Sequence, residues 1–215
     1  MILHVFRHEL RLIFREPRFW IPFVIPPVIL AASQGIAVSR YGGAIMQGME
    51  GYMMLLLGCL MAPMGAPLAA DSFAGERERN SLELLQLSPV KPAHLFWGKM
   101  LAVLPFPLTF SLMGILVYWI SHPAVSGATA LAALFGAASV CLLVTSFTLL
   151  ISLKAKTVRA ATQSSLFLVV PLLLMVQFGY EFFLSSLAIP AMTLLVSCLI
   201  SLGVTFIGMR RFVSL

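Results

Sequence analysis

Charge is what this 215-residue sequence has least of. Fourteen Lys or Arg and eight Asp or Glu make up 10% of it, less than half the usual share for a soluble domain. Too little polar surface follows for a water-exposed globule. Several catalytic signatures are also missing. There is no GxxxxGK[ST] loop, whose backbone N–H groups cradle phosphates, so the chain does not bind and hydrolyse ATP in that way by itself. HExxH is absent, which disfavours a zincin-type membrane protease. No aspartate pair is suited to hold magnesium against a phosphorylated lipid head, and His4, His8, His94 and His122 are scattered. A membrane enzyme therefore lacks its cluster. Cys59, Cys141 and Cys198 have no CxxC spacing and fall within apolar runs, as buried, inert thiols do. Nor is a secretory signal peptide visible, since the sequence opens on a charged amphipathic stretch.

What is present is apolar sequence in long runs. Hydrophobic residues make up 60% and mean hydropathy is +0.99. Residues 19–39, 51–70, 160–180 and 182–209 carry no charge, and neither does the longer interval 100–153. A helix rising about 1.5 Å per residue needs roughly 20 residues to cross a hydrocarbon core about 30 Å thick. The interval 100–153 holds two crossings, turned at Ser121-His122-Pro123. Six spans result, at about 19–39, 51–70, 100–120, 127–153, 160–180 and 189–209. The runs do not alternate polar with apolar, which excludes barrel strands. The expected fold is an all-α polytopic membrane protein forming one transmembrane domain over 1–215. Charges in or beside the spans stand only at their edges: Glu50, Asp71, Lys99 and Glu181. A proton- or sodium-coupled carrier usually keeps an ionisable group at mid-membrane, so secondary transport is disfavoured.

Positive charge sets the orientation. With both termini inside, Arg7, Arg11, Arg15, Arg18, Arg77, Arg79, Lys91, Lys99, Lys154, Lys156, Arg159, Arg210 and Arg211 are all cytoplasmic, and Arg40 alone is outside. The net charge of +6 thus belongs to topology and anionic headgroups, with no nucleic-acid partner implied. The expected location is the inner (cytoplasmic) membrane of a bacterium.

Residues 1–16 read as an interfacial helix. Leu3, Phe6, Leu10 and Ile13 share one face, and Arg7, Arg11 and Arg15 form an i, i+4 row on another. His4 and His8, also four apart, have no third ligand nearby and fit a snorkelling polar rim. Prolines interrupt three spans: Pro22, Pro26 and Pro27, then Pro63 and Pro67, then Pro105 and Pro107. Each removes a backbone donor, which suits either bent helices lining a path or packing kinks. Gly58, Ala62, Ala66 and Ala70, and again Ala128, Ala132 and Gly136, form small-residue rows suited to close helix contact. The outer loops, roughly 40–50, 121–126 and 181–188, are too short for a folded domain.

Against this background DSFAGERERNSLELLQLSPV (71–90) stands out, with six of the 22 charged residues in twenty positions. The soluble element is expected to cover 71–99. Ser81 is placed to cap a short helix in which Leu82, Leu84 and Leu85 have a surface to bury, and Pro89 ends it. Such a segment is either a solvated amphipathic loop or a docking helix, its leucines filling a groove and its charges fixing register.

The run FAGERERNSLELLQLSPVKPAHLFWGK resembles the cytoplasmic segment of ABC-2-type transporter permeases. Gly75-Glu76-Arg77-Glu78-Arg79, Leu82-Glu83-Leu84-Leu85, Ser88-Pro89 and Gly98-Lys99 carry the likeness; Asn80-Ser81 stands where many relatives have Gly-Thr. The resemblance implies a type V exporter-like permease, itself without catalytic, cofactor or metal residues, that dimerises and works with two separate ATP-binding subunits holding ATP and Mg. It implies a coupling segment seated on that ATPase, comprising Glu76, Arg77, Glu78, Arg79, Ser81, Leu82, Glu83, Leu84, Leu85 and Pro89. Glu181, the single acidic residue near the outer mouth, is a candidate gate. Two other readings stand beside export: a haem-exporter permease of the cytochrome maturation type, with much the same length and layout, and a non-transporting scaffold that recruits an ATPase. Nearly uncharged spans suit a hydrophobic or amphipathic cargo.

Overall fold

The computed structural model describes residues 6, 7, 11, 50–81, 91–122 and 125–213. The expected first span, 19–39, lies outside them. So does nearly all of the interfacial helix, although Phe6, Arg7 and Arg11 are helical. The described residues form five helices long and apolar enough to cross a membrane. We number them α1 (Glu50–Glu78), α2 (Pro92–Ser121), α3 (Gly127–Lys154), α4 (Val158–Leu184) and α5 (Ala188–Val213). At about 1.5 Å per residue each exceeds the hydrocarbon thickness.

Local sequence sets the helix limits. Ser126 starts α3, its Oγ accepting from Thr129 N at 3.1 Å, and Thr157 starts α4 by accepting from Ala160 N at 3.1 Å. Pro92 opens α2 in the first turn, where its missing N–H has no helical partner to lose. The prolines inside the chain leave local marks. α1 tightens to a 3-10 turn at Ala62–Gly65 around Pro63, and α2 is interrupted at Leu104 ahead of Pro105. Ser111 of α2 donates to Gly58 O at 2.8 Å, supporting the α1 backbone just before its tight turn.

α3 is the central helix and packs against the other four. Its close approach to α1 follows from the small residues: Gly58, Ala62, Ala66 and Ala70 are all buried. A Cβ on Gly58 would lie 2.8 Å from Ile115 Cδ1 and 2.9 Å from Ala137 Cβ. In the second row Ala132 and Gly136 are buried, whereas Ala128, in the first turn of α3, is exposed. Two apolar clusters stack along the bundle. One gathers Met54, Leu55, Ile115, Tyr118, Val140 and Val144. The other lies toward the charged end and centres on Phe73, Phe96 and Phe212, with ring centroids 4.8 to 6.2 Å apart. Outward faces are apolar too; Phe167 and Phe178 of α4 are 85% and 84% exposed. Such a belt suits hydrocarbon surroundings.

Both ends of the segment 71–99 are helical. α1 runs on through Asp71–Glu78 and α2 already begins at Pro92. The charges at Asp71 and Glu76–Arg79 do not end the helix, because the side chains of Arg77 and Glu78 find partners on neighbouring helix ends.

Candidate functional site

Residues 71–75 of α1 wind as a π-turn. Such a turn inserts one residue too many for the i→i−4 ladder and leaves backbone groups over. Ser152 of α3 takes them up. Its Oγ accepts from Phe73 N at 3.1 Å and Ala74 N at 2.9 Å, and donates to Ala70 O at 2.7 Å. This hydroxyl is completely buried. The π-turn is therefore stapled to the central helix rather than merely tolerated.

After it, Glu76–Glu78 return to α winding, and successive side chains reach different neighbours. Glu76 Oε1 lies 3.6 Å from Lys99 Nζ of α2. Lys99 is only 1% exposed and stands 5.3 Å from the Phe73 ring centroid. Its charge, expected in the loop, is thus drawn into the bundle end, held by a carboxylate and an aromatic face. Arg77 forks onto the end of α3, Nη1 donating to Ala155 O at 2.6 Å and Nη2 to Leu153 O at 2.8 Å. Glu78 Oε1 accepts from Val158 N at 2.8 Å, at the start of α4. Arg79 returns to its own helix, Nη2 lying 3.3 Å from both Asp71 carboxylate oxygens. Gly75 makes room for that carboxylate, since a Cβ there would lie 2.1 Å from Asp71 Oδ1.

The alternation of sign now has a physical reason. A helix C-terminus carries partial negative charge and an N-terminus partial positive charge. Arg77 meets the C-terminal carbonyls of α3, and Glu78 meets the N-terminal amide of α4. Four helix ends are tied together by the Gly75–Arg79 run.

α1 then closes in a Schellman motif. Ser81 N donates to Glu76 O at 2.9 Å and Asn80 N to Arg77 O at 3.1 Å. Asn80 sits at φ 54°, the left-handed conformation that Gly adopts freely and Asn tolerates best among the others. Asn is therefore acceptable at this left-handed position. Ser81 Oγ reaches back to Glu76 O at 3.1 Å and to the Glu76 carboxylate.

Leu82, Glu83, Leu84, Leu85 and Pro89 lie outside the described residues. Glu76, Arg77, Glu78, Arg79 and Ser81 form one connected cluster at the point from which that segment departs. Glu181 is elsewhere, exposed near the opposite end of α4. It accepts from Tyr180 OH at 3.2 Å, and the Tyr180 ring packs against Tyr52 of α1 with centroids 4.7 Å apart and planes tilted by 53°. Among the described residues no three His, Cys, Asp or Glu side chains are gathered closely enough to hold a metal ion. Sequence reasoning missed Ser152 and the Lys99 pairing. For Ser152 a signal exists: Thr145, Thr148 and Ser152 recur at i, i+3 and i+7 on one face of α3.

The family model for the ABC-2 type transporter matches residues 2–182, most of the chain. No curated protein matches it. With an all-helical described architecture of apolar, membrane-length helices and this match, the chain belongs to the ABC-2 type transporter family, as a multi-pass membrane-spanning component.

Proposed function

We propose that the chain is the permease subunit of an ABC exporter, driven by ATP and Mg bound on a separate ATP-binding subunit. Two permease copies and two ATPase subunits make the working unit. Both termini and the charged end of the bundle face the cytoplasm of a bacterial cell, in keeping with the positive-inside bias. Segment 82–90 docks on the ATPase, its leucines gripping and Glu83 fixing register. The cargo is hydrophobic or amphipathic.

The observation that carries this reading is the attachment of Glu76, Arg77 and Glu78 to the ends of α2, α3 and α4. A displacement applied just beyond Ser81 is delivered to four helix ends at once. Magnitudes agree with such a role. Turning a 1:99 population into 99:1 takes about 5.5 kcal/mol of differential binding. Hydrogen bonds to charged groups contribute roughly 1.5–3 kcal/mol each. The two hydrogen bonds of Arg77 and the one to Glu78 are together of the same order, so the turn can pass on the load without coming apart.

The test is reconstitution in nanodiscs with an ABC ATP-binding subunit from the same organism. Leu85→Asp and Glu83→Ala are expected to lower complex recovery or ATP hydrolysis while the helices stay folded. Both variants folded and fully coupled would remove the docking assignment.

A further inference from the structure

Thr145 and Thr148 are the puzzle of the central helix. Both are wholly buried, and neither hydroxyl has a hydrogen-bond partner among the described residues. A buried hydroxyl left without a partner costs about 1–3 kcal/mol. They share a face of α3 with Ser152, the residue that staples the π-turn.

α1 and α3 run in the same direction. A Cβ on Gly51 would lie 3.0 Å from Thr129 Cγ2, and one on Gly58 2.9 Å from Ala137 Cβ, while Ala70 O meets Ser152. Thr148 and Thr145 therefore stand level with the part of α1 immediately before the π-turn. That part is unusual. It comprises the 3-10 turn Ala62–Gly65 and the short α segment Ala66–Ala70. One helix thus holds an overwound turn and an underwound turn close together. Pro63 and Pro67 supply no N–H, so the ladder there has fewer bonds to break if the winding changes. Mid-helix 3-10 and π turns are typical of functional hinges.

We propose that the π-turn of α1 steps along these hydroxyls during the transport cycle, held by Ser152 in the state seen here and by Thr148 in the other. The inference rests on the permease reading given above. One step moves the π-turn one helical turn away from the charged end. Thr148 then accepts the freed amides and donates to the freed carbonyl, as Ser152 does now, with Thr145 next in line. Residues passed by the step rotate by about 100° and shift by about 1.5 Å along the axis, one residue's worth of helix. Glu76, Arg77 and Glu78 keep their attachments while the residues passed by the step turn, and Asp71 swings away from Arg79. A push at one end of α1 thereby becomes a rotation inside the bundle, a small ratchet of one element past another.

The test uses the full chain in nanodiscs, alone for thermal melting and with its ATP-binding subunit for turnover. The variants are Ser152→Ala, Thr148→Val and Thr148→Ser. Ser152→Ala is expected to melt below wild type, because three backbone groups lose their partner. Thr148→Val is expected to melt at or above wild type, because an unpartnered hydroxyl is gone. Its ATP turnover in the complex is expected to fall at least threefold, and Thr148→Ser to restore it. A lowered melting temperature for Thr148→Val would mean that its hydroxyl is already bonded in this state. Wild-type turnover in that variant would mean that nothing steps onto it. Either result overturns the proposal. The melting comparison needs no ATPase, so it remains readable if no such subunit associates, a failure that would strike the permease reading instead.

Discussion

Arg77→Ala removes the fork that ties the charged turn to α3. Two hydrogen bonds from a guanidinium are lost, 2.6 Å to Ala155 O and 2.8 Å to Leu153 O. Both carbonyls belong to the α3 terminus, where no intrahelical N–H remains to pair with them. Hydrogen bonds to charged groups contribute roughly 1.5–3 kcal/mol each, but Arg77 is part-exposed and water replaces some of that. The expected net loss is about 2–3 kcal/mol, or on the order of 5 °C in melting temperature for a chain of this size. Arg77→Lys keeps the charge but has no planar fork for two carbonyls, and is expected to fall between Ala and wild type. Thermal melting in nanodiscs gives the stability, and hydrogen exchange at amides 153–160 gives the location. Faster exchange confined to the α3–α4 junction is expected. Unchanged melting together with unchanged exchange there would refute the assignment of Arg77 as the tie.

Other substitutions test neighbouring parts of the structure. Asn80→Val places a β-branched residue at φ 54° and is expected to cost about 1–2 kcal/mol by melting, whereas Asn80→Gly stays within a few tenths. Gly58→Ala sets overpacking of about 2 kcal/mol against a helix-propensity gain of about 1, for a net loss of about 1 kcal/mol. Adding Ala137→Gly clears the contact at 2.9 Å but leaves Ile115 Cδ1 at 2.8 Å and costs about 1 kcal/mol of helix propensity, so no net recovery is expected. Glu181→Ala, at an exposed site, is expected to leave melting and ATPase association unchanged while lowering ATP turnover by the complex. Unchanged turnover would take Glu181 out of the gate.

The five described spans were legible because the cost of placing charge in hydrocarbon empties such segments of Asp, Glu, Lys and Arg. The end of α1 was not legible from the same signal. Asp71 and Glu76–Arg79 look like a chain leaving the membrane, yet the helix continues because Arg77 and Glu78 find complementary helix termini at α3 and α4. Those partners lie about 80 positions away in sequence, beyond any local pattern. Lys99 misled in the opposite sense, since a lysine beside a span reads as a loop charge until Glu76 and Phe73 are seen around it. Ser152 hid as one small residue among many in a membrane helix. Its role appears only when the π-turn opposite it is known. Asn80 was half legible: its place after GERER marked a departure from relatives, and its left-handed backbone supplies the reason.

The claim on which the rest depends is that the segment leaving Ser81 meets an ATP-binding subunit. A photo-cross-linking residue at position 85, in membranes of cells of the source organism that make its ABC ATP-binding subunits, tests it directly. A covalent adduct of permease and ATPase is expected at position 85 and not at exposed, lipid-facing position 167. A folded, membrane-inserted chain that yields no such adduct at 85, with the ATPase present, would contradict it.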